Sequence, residues 1–191
     1  MSRLLTNAVG FDDGPFLRHS VGRRPARVMV VGAVCARTRL DGVVSGHVRK
    51  DGADATALLA SLVRNSQFDG HVRVVLLGGI AVAGFNVVDI HGLAAALARP
   101  VLVVARRLPR LPLIREALAK IPGGARRWRL IEAAGPMEPL GNVFVQRAGL
   151  ELDEARYLLK ATTLHGHFPE PLRLAHLIAG GVVTGKSRGR A

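Results

Sequence analysis

Aromatic side chains are scarce in this sequence, 4% of 191 residues, while Val, Leu and Ala dominate a hydrophobic share of 49%. The core is therefore aliphatic, and few rings remain from which to build a platform for stacking bases. Acidic residues are also short: 14 Asp and Glu stand against 27 Lys and Arg, a formal net charge of +13. An imbalance of this size favours a polyanion as partner, nucleic acid before a membrane surface. Cysteine occurs once, at Cys35 inside the apolar run VMVVGAVCA, which excludes an intrachain disulfide and fits a reducing compartment. No apolar run approaches the length needed to span a bilayer. Two aspartates interrupt the N-terminal MSRLLTNAVGFDDG before a signal-peptide core can form. The expectation is a soluble, cytoplasmic, single domain over 1–191, long enough to bury a sizeable core.

Secondary structure follows from period and punctuation. The segment NAVGFD is short and apolar, and Gly14-Pro15 forces a turn after it. Val28 to Ala36 is β-branched and reads as a buried strand; Asp41-Gly42 supplies a hairpin signal, with Gly42 to Arg49 as the partner strand. The period then changes to helical over Ala53 to Ser66, with Leu58, Leu59, Leu62 and Val63 on one side. Strands are expected at Val72–Leu77, Pro100–Ala105 and Val143–Ala148. Helices are expected from about Val87, over Pro112–Ile121, over Glu151–Thr163 and from Pro169 to Ala179, leaving a flexible basic tail from about 181. Three early strands followed by strand–helix alternation require a mixed sheet, because parallel neighbours need crossover helices. An antiparallel meander followed by two βα units is the order of an RNase H-like α/β fold. A doubly wound sheet would alternate from its first strand.

The stretch Gly180 to Ser187 reads G-x-x-x-x-G-K-S, the pattern of a nucleotide-binding phosphate loop. Such a loop needs a buried strand before it and a helix after it, whose N-terminus receives the phosphates. Only Arg188-Gly189-Arg190-Ala191 follow Ser187, and helical spacing precedes it. The pattern is therefore expected to bind no nucleotide.

The carboxylates are more informative. Asp12 and Asp13 end an apolar strand before a forced turn, where a carboxylate pair can hold Mg²⁺ or can serve the turn itself. Asp51 and Asp54, in KDGADAT, lie where the third strand hands over to the first helix, and capping explains one of them. Asn86 and Asp89 lead from the glycine-containing loop GGIAVAGF into the next helix. Glu170, Arg173 and His176 recur every three residues on one side of the last helix, with a salt bridge expected between the first two. His165-x-His167 with His176 is a weak zinc pattern, lacking cysteine.

GFDDGPF, DGADAT, AGFNVVDI and PEPLRLAHLIA, in this order and spacing, closely resemble the archaeal endonuclease dU family, a relative of endonuclease V. The resemblance covers nearly the whole chain. It implies an RNase H-like fold and a Mg²⁺- or Mn²⁺-dependent endonuclease of DNA repair that nicks DNA at deaminated bases, deoxyuridine foremost, with RNA an open alternative. By this match Asp12 is a metal ligand and His176 a metal-site residue. The catalytic glutamate of endonuclease V has no counterpart, and Asp51 or Asp54 stands in its region. Gly78-Gly79 replaces a metal-binding Asp-Gly, so the cation falls to Asp12, Asp13 and the DGADAT carboxylates, or Asp89 reaches in. The aromatic-proline wedge of endonuclease V is also missing, with Phe85 and Phe16 the nearest apolar substitutes. Arg23, Arg24, Arg106, Arg107, Arg126 and Arg127 are expected to hold phosphates, and Phe85, Asn86 and Arg173 to extend the nucleic-acid surface. The alternative is a non-catalytic nucleic-acid-binding protein on the same fold.

Overall fold

The computed structural model describes residues 5–16 and 26–187. Strand β1 (Asn7–Asp13) pairs antiparallel with β2 (Arg27–Ala36), and β2 antiparallel with β3 (Arg39–Arg49). Helix α1 (Ala55–Arg64) then crosses to β4 (Val74–Leu77), parallel to β1. A small hairpin, β5 (Ala81–Val82) and β6 (Asn86–Val87), precedes α2 (Ile90–Leu97) and β7 (Val101–Ala105), which is parallel to β4. Helices α3 (Leu111–Ala119) and α4 (Gly124–Ala133) make an excursion before β8 (Glu138–Leu140) and β9 (Val143–Ala148). Helices α5 (Leu152–Thr162) and α6 (Glu170–Thr184) follow. The sheet runs β3-β2-β1-β4-β7-β9-β8, so the expected meander plus two βα units is present, with an antiparallel pair added beyond β7.

Alternation along the strands sorts the core into two layers. On one face Val9, Phe11, Val30, Val75 and Val103 pack with Leu59 and Val63 of α1 and Leu93 of α2. On the other, Ala8, Leu76 and Leu102 pack with Leu158 of α5 and Leu172 of α6, while Val31, Ala33 and Cys35 meet Ala175 and Ala179. The second layer is thin where α6 crosses β1. A Cβ on Gly10 would lie 2.4 Å from the Pro171 carbonyl carbon, so only glycine lets the helix sit this close.

Several sequence expectations are corrected. Asp41-Gly42 does not turn; the β2–β3 turn lies at Arg37-Thr38, with Arg37 at φ 56°, and Asp41 and Gly42 sit inside β3. The reason is lateral: Asp41 receives Arg39 Nε at 2.7 Å, and the Phe68 ring occupies the space where a Gly42 side chain would be, 2.1 Å from an added Cβ. The residues from Val87 begin as strand β6, and the helix starts only at Ile90, after Asp89 caps it. Neither α4 nor β8 was expected. Helix α6 also continues to Thr184, beyond the point assigned to the tail. Gly185, at φ 73°, ends it and donates its N–H to the Gly181 carbonyl at 2.9 Å. The G-x-x-x-x-G-K-S pattern thus forms a helix C-terminus, the end that presents carbonyls and the negative pole of the dipole, where a phosphate is repelled.

Candidate active site

In an α/β sheet, ligands meet the carboxyl ends of the parallel strands. Here β1 ends in Asp12-Asp13, β4 is followed by Gly78-Gly79, and β7 by Arg106-Arg107. The two aspartates lie on opposite faces of the sheet. Consecutive strand residues point to opposite faces, and the register shows it: Asp12 stands opposite Val31, which faces α6, and Asp13 opposite Val30, which faces α1 and α2.

On the α6 face, Asp12 Oδ2 meets His176 Nδ1 at 2.9 Å, and Asp12 Oδ1 accepts the Asp13 N–H at 2.9 Å. An ionised carboxylate only accepts, so Nδ1 carries the proton and Nε2 is the nitrogen left for chemistry. Asp12 is 24% exposed and His176 38%, so a phosphate can reach both. Burial pushes the Asp12 carboxyl above its ordinary range, and the Asp13 N–H and His176 only partly pull it back. A Cβ on Gly78 would stand 3.8 Å from Asp12 Oδ1 with nothing nearer, so the glycine leaves open space beside this oxygen.

On the opposite face Asp13 Oδ2 accepts the Ala83 N–H at 3.0 Å. Burial first, then the charge on Asp12, push its carboxyl up to about 6. A carboxyl with a raised folded-state pKa favours the neutral form, so its contribution to stability is fully present below pH 3.8 and is lost as pH rises through about 6. Asp13→Asn keeps the acceptor for Ala83 and removes the charge. It is expected to raise the unfolding free energy by about 2 kcal/mol at pH 8 and to gain nothing at pH 4, as read by chemical denaturation at the two pH values.

The remaining acidic sequence candidates each make hydrogen bonds within the fold. Asp51, at φ 49°, donates its N–H to the Ala83 carbonyl at 2.9 Å, and its Oδ1 accepts from Phe85 at 2.8 Å, clamping the β5–β6 hairpin. Asp54 accepts from Asn86 Nδ2 at 2.7 Å and from the Arg49 N–H at 3.3 Å. Burial opposes its charge, but these hydrogen bonds outweigh burial and lower its pKa. Asn86 is fully buried and spends its amide on Asp54, the Arg49 carbonyl and the Ala55 N–H; it cannot reach a nucleic acid. Asp89 caps α2 through Gly92 at 2.8 Å and borders a cavity of about 880 Å³ between α1, α2 and α4. Phe85 packs towards Leu118 and Ile131, and Phe16 lies against the core, so neither stands clear as a wedge. His167 bonds Asn142 at 3.1 Å while His176 faces Asp12, which separates the zinc pattern.

Among the arginines, Arg127 is tied to the carbonyls of Asp51, Gly52 and Pro122, and Arg173 forms a two-pronged pair with buried Glu170 at 2.8 and 2.7 Å. Arg107 and Arg126 are exposed; Arg106 is exposed too, with its guanidinium 4.5 Å from the Phe168 ring. Arg23 and Arg24 lie outside the described residues.

Among the described residues no three His, Cys, Asp or Glu side chains converge as a metal cage, so Asp51, Asp54 and Asp89 do not complete a ligand set around Asp12. Mg²⁺, however, commonly takes one or two protein carboxylates and fills its shell with water and substrate phosphate. Asp12, open beside Gly78, fits that mode of binding and not a closed cage.

The family described as Endonuclease dU matches residues 5–183. The chain belongs to the endonuclease dU family. Its relatives include a UPF0215 protein of Deinococcus radiodurans, 55% identical over 187 residues and covering 97% of this chain and 93% of that protein. A UPF0215 protein of Methanosarcina barkeri is 38% identical over 188 residues, covering 96% and 93%. The crystal structure of an Archaeoglobus fulgidus protein of unknown function superposes with a TM-score of 0.86 at 34% identity, covering 94% of this chain and 99% of that one. Endonuclease V of Ciona intestinalis, crystallised with a 24mer DNA containing an inosine, gives a TM-score of 0.56 at 15% identity, covering 90% and 83%. That likeness shows the fold: this endonuclease dU chain is RNase H-like. No helix among its described residues is long and apolar enough to cross a membrane.

Proposed function

We propose that the chain is a divalent-metal-dependent endonuclease that nicks DNA at deaminated bases, with deoxyuridine as the lesion, acting in repair in the cytoplasm. The observation that carries the reading is the contact between Asp12 at the end of β1 and His176 on α6, on the open face at the carboxyl end of the parallel strands. Mg²⁺ or Mn²⁺, held by Asp12 together with a substrate phosphate, would supply charge neutralisation and an acidified water. Asp12 holds the His176 ring through Nδ1. Nε2 is then the ring nitrogen left to ligate the metal or to position the departing sugar oxygen. Arg106, Arg107 and Arg126 hold phosphates around the site, and Arg173 stiffens the α6 turn on which His176 sits. The net charge of +13 makes affinity fall steeply with salt.

The test is nicking of end-labelled duplexes carrying one deoxyuridine, one inosine or no lesion, in Mg²⁺, Mn²⁺ or EDTA. Cleavage beside deoxyuridine that needs metal is the expected result. Salt-dependent binding with no cleavage under any condition would replace this reading with a non-catalytic binding protein.

A further inference from the structure

The register of the parallel strands places one more element beside Asp12. Phe11 pairs with Leu77 and Leu77 with Val103, so Asp12, Gly78 and Val104 stand in one row across the sheet. Neighbouring strands are about 4.8 Å apart. The segment leaving β7 therefore starts about 10 Å from the strand that carries Asp12, roughly three stacked base steps. Val104 and Leu102 face α5 and α6, as Asp12 does, and Arg106 continues that side by stacking on Phe168.

From Arg106 the chain is exposed without a break through Leu113, over the sequence RRLPRLPL. Leu108 is 56% exposed, Leu111 42% and Leu113 55%. Three exposed leucines within six residues are a candidate interaction surface. The tip is stiff. Pro109 fixes its own φ and holds Leu108 extended, the Leu111 N–H closes on the Pro109 carbonyl at 3.0 Å, and Arg110 caps α3. Arg107 and Arg110 flank Leu108, neither has a salt-bridge partner among the described residues, and no acidic residue occurs between Arg106 and Arg115.

The two halves of this composition select the occupant. Leucines alone would fit a protein, and arginines alone would fit a phosphate backbone. A rigid leucine between unpaired arginines matches a strand whose phosphates are held on both sides while an apolar side chain enters between its bases.

We propose that Leu108, on the Pro109 tip, is a wedge that unstacks the duplex next to Asp12, with Arg107 and Arg110 gripping the phosphates to either side. The inference rests on the reading of this chain as a nuclease acting on DNA. A base is then presented to Asp12 and His176 from a locally opened helix, and a substrate that is already single-stranded needs no wedge.

The test uses a duplex with 2-aminopurine next to a deoxyuridine, bound by the whole protein in EDTA. The wild type is expected to raise the fluorescence as the base unstacks. Leu108→Ser removes most of that rise at saturating protein, leaves the affinity for the same sequence as a single strand unchanged, and leaves the melting temperature unchanged. In Mg²⁺ the ratio of duplex to single-strand nicking should fall about tenfold or more, since unstacking a step costs a few kcal/mol and 1.36 kcal/mol is tenfold in rate. Arg107→Ala and Arg110→Ala should each weaken both substrates and reduce the salt slope by about 1. A Leu108→Ser protein that unstacks the duplex as well as the wild type overturns the wedge. So does an equal loss on duplex and single strand. Fluorescence in EDTA is read without cleavage, so a protein that unstacks through Leu108 but never nicks keeps the wedge and sinks the nuclease.

Discussion

Asp12→Asn is expected to reduce nicking by at least about 100-fold while leaving the protein folded and bound to DNA. The amide can still accept the Asp13 N–H and still lies against His176 Nδ1, so the shape of the site survives. What goes is the charge. Without it a cation loses its open protein ligand beside Gly78, and the His176 ring loses the carboxylate that holds it. Burial already disfavours the Asp12 carboxylate, so removing its charge should not lower the melting temperature. Rates under single-turnover conditions, thermal melting and DNA affinity separate these effects. If the variant nicks at the wild-type rate, Asp12 is not the catalytic centre.

The largest effect on stability is expected at Gly10. Its Cβ would lie 2.4 Å from the Pro171 carbonyl carbon and 2.6 Å from the Leu172 nitrogen. Both are backbone atoms, so no side-chain rotation relieves the clash and α6 must lift off β1. We expect Gly10→Ala to cost about 3 kcal/mol or more. For a chain of this size that lowers the melting temperature by roughly 6–12 °C. Lifting α6 also draws His176 away from Asp12, so nicking falls in protein that is still folded. Gly70→Ala is the control, since nothing lies within 4 Å of its Cβ, and its melting temperature should stay within about 2 °C of wild type. A Gly10→Ala protein as stable and active as the wild type would mean that α6 has freedom the packing does not suggest.

The order of meander and βα units was legible because each period is clear: alternation in β1 to β3, then Leu58, Leu59, Leu62 and Val63 at helical spacing. Asp12 was legible because Gly14-Pro15 marks the end of its strand. The separation of Asp12 from Asp13 was also available, since strand residues alternate, yet adjacency in sequence suggested a pair. Other features depend on neighbours that are distant in sequence. Gly42 reads as a turn until the Phe68 ring is seen to need its space. Arg37-Thr38 carries no turn signal, although Arg37 adopts the left-handed region. Helix α4 hides behind GARRWRLIEA, where the apolar Trp128 and Ile131 are outnumbered by charge. Its Gly124 is required because a Cβ there would lie 1.7 Å from the Leu118 carbonyl oxygen. Strand β8 has three residues, with Pro139 tolerated because it is an edge. The asparagine and aspartates around the β5–β6 hairpin looked functional by type, and only their hydrogen bonds show that Asn86 and Asp54 are committed to holding the loop.

Asp12 and His176 are 164 residues apart in the chain and meet only because α6 closes onto β1. On the ribosome, at about 5–20 residues per second, the aspartate therefore waits roughly 8–33 s for its histidine. Throughout that time the face of β1 that α6 will cover stays open, and the emerging polypeptide lacks the Asp12–His176 contact. On the proposed reading as a DNA nuclease, forming the Asp12–His176 contact this late means that translation itself acts as the safety catch.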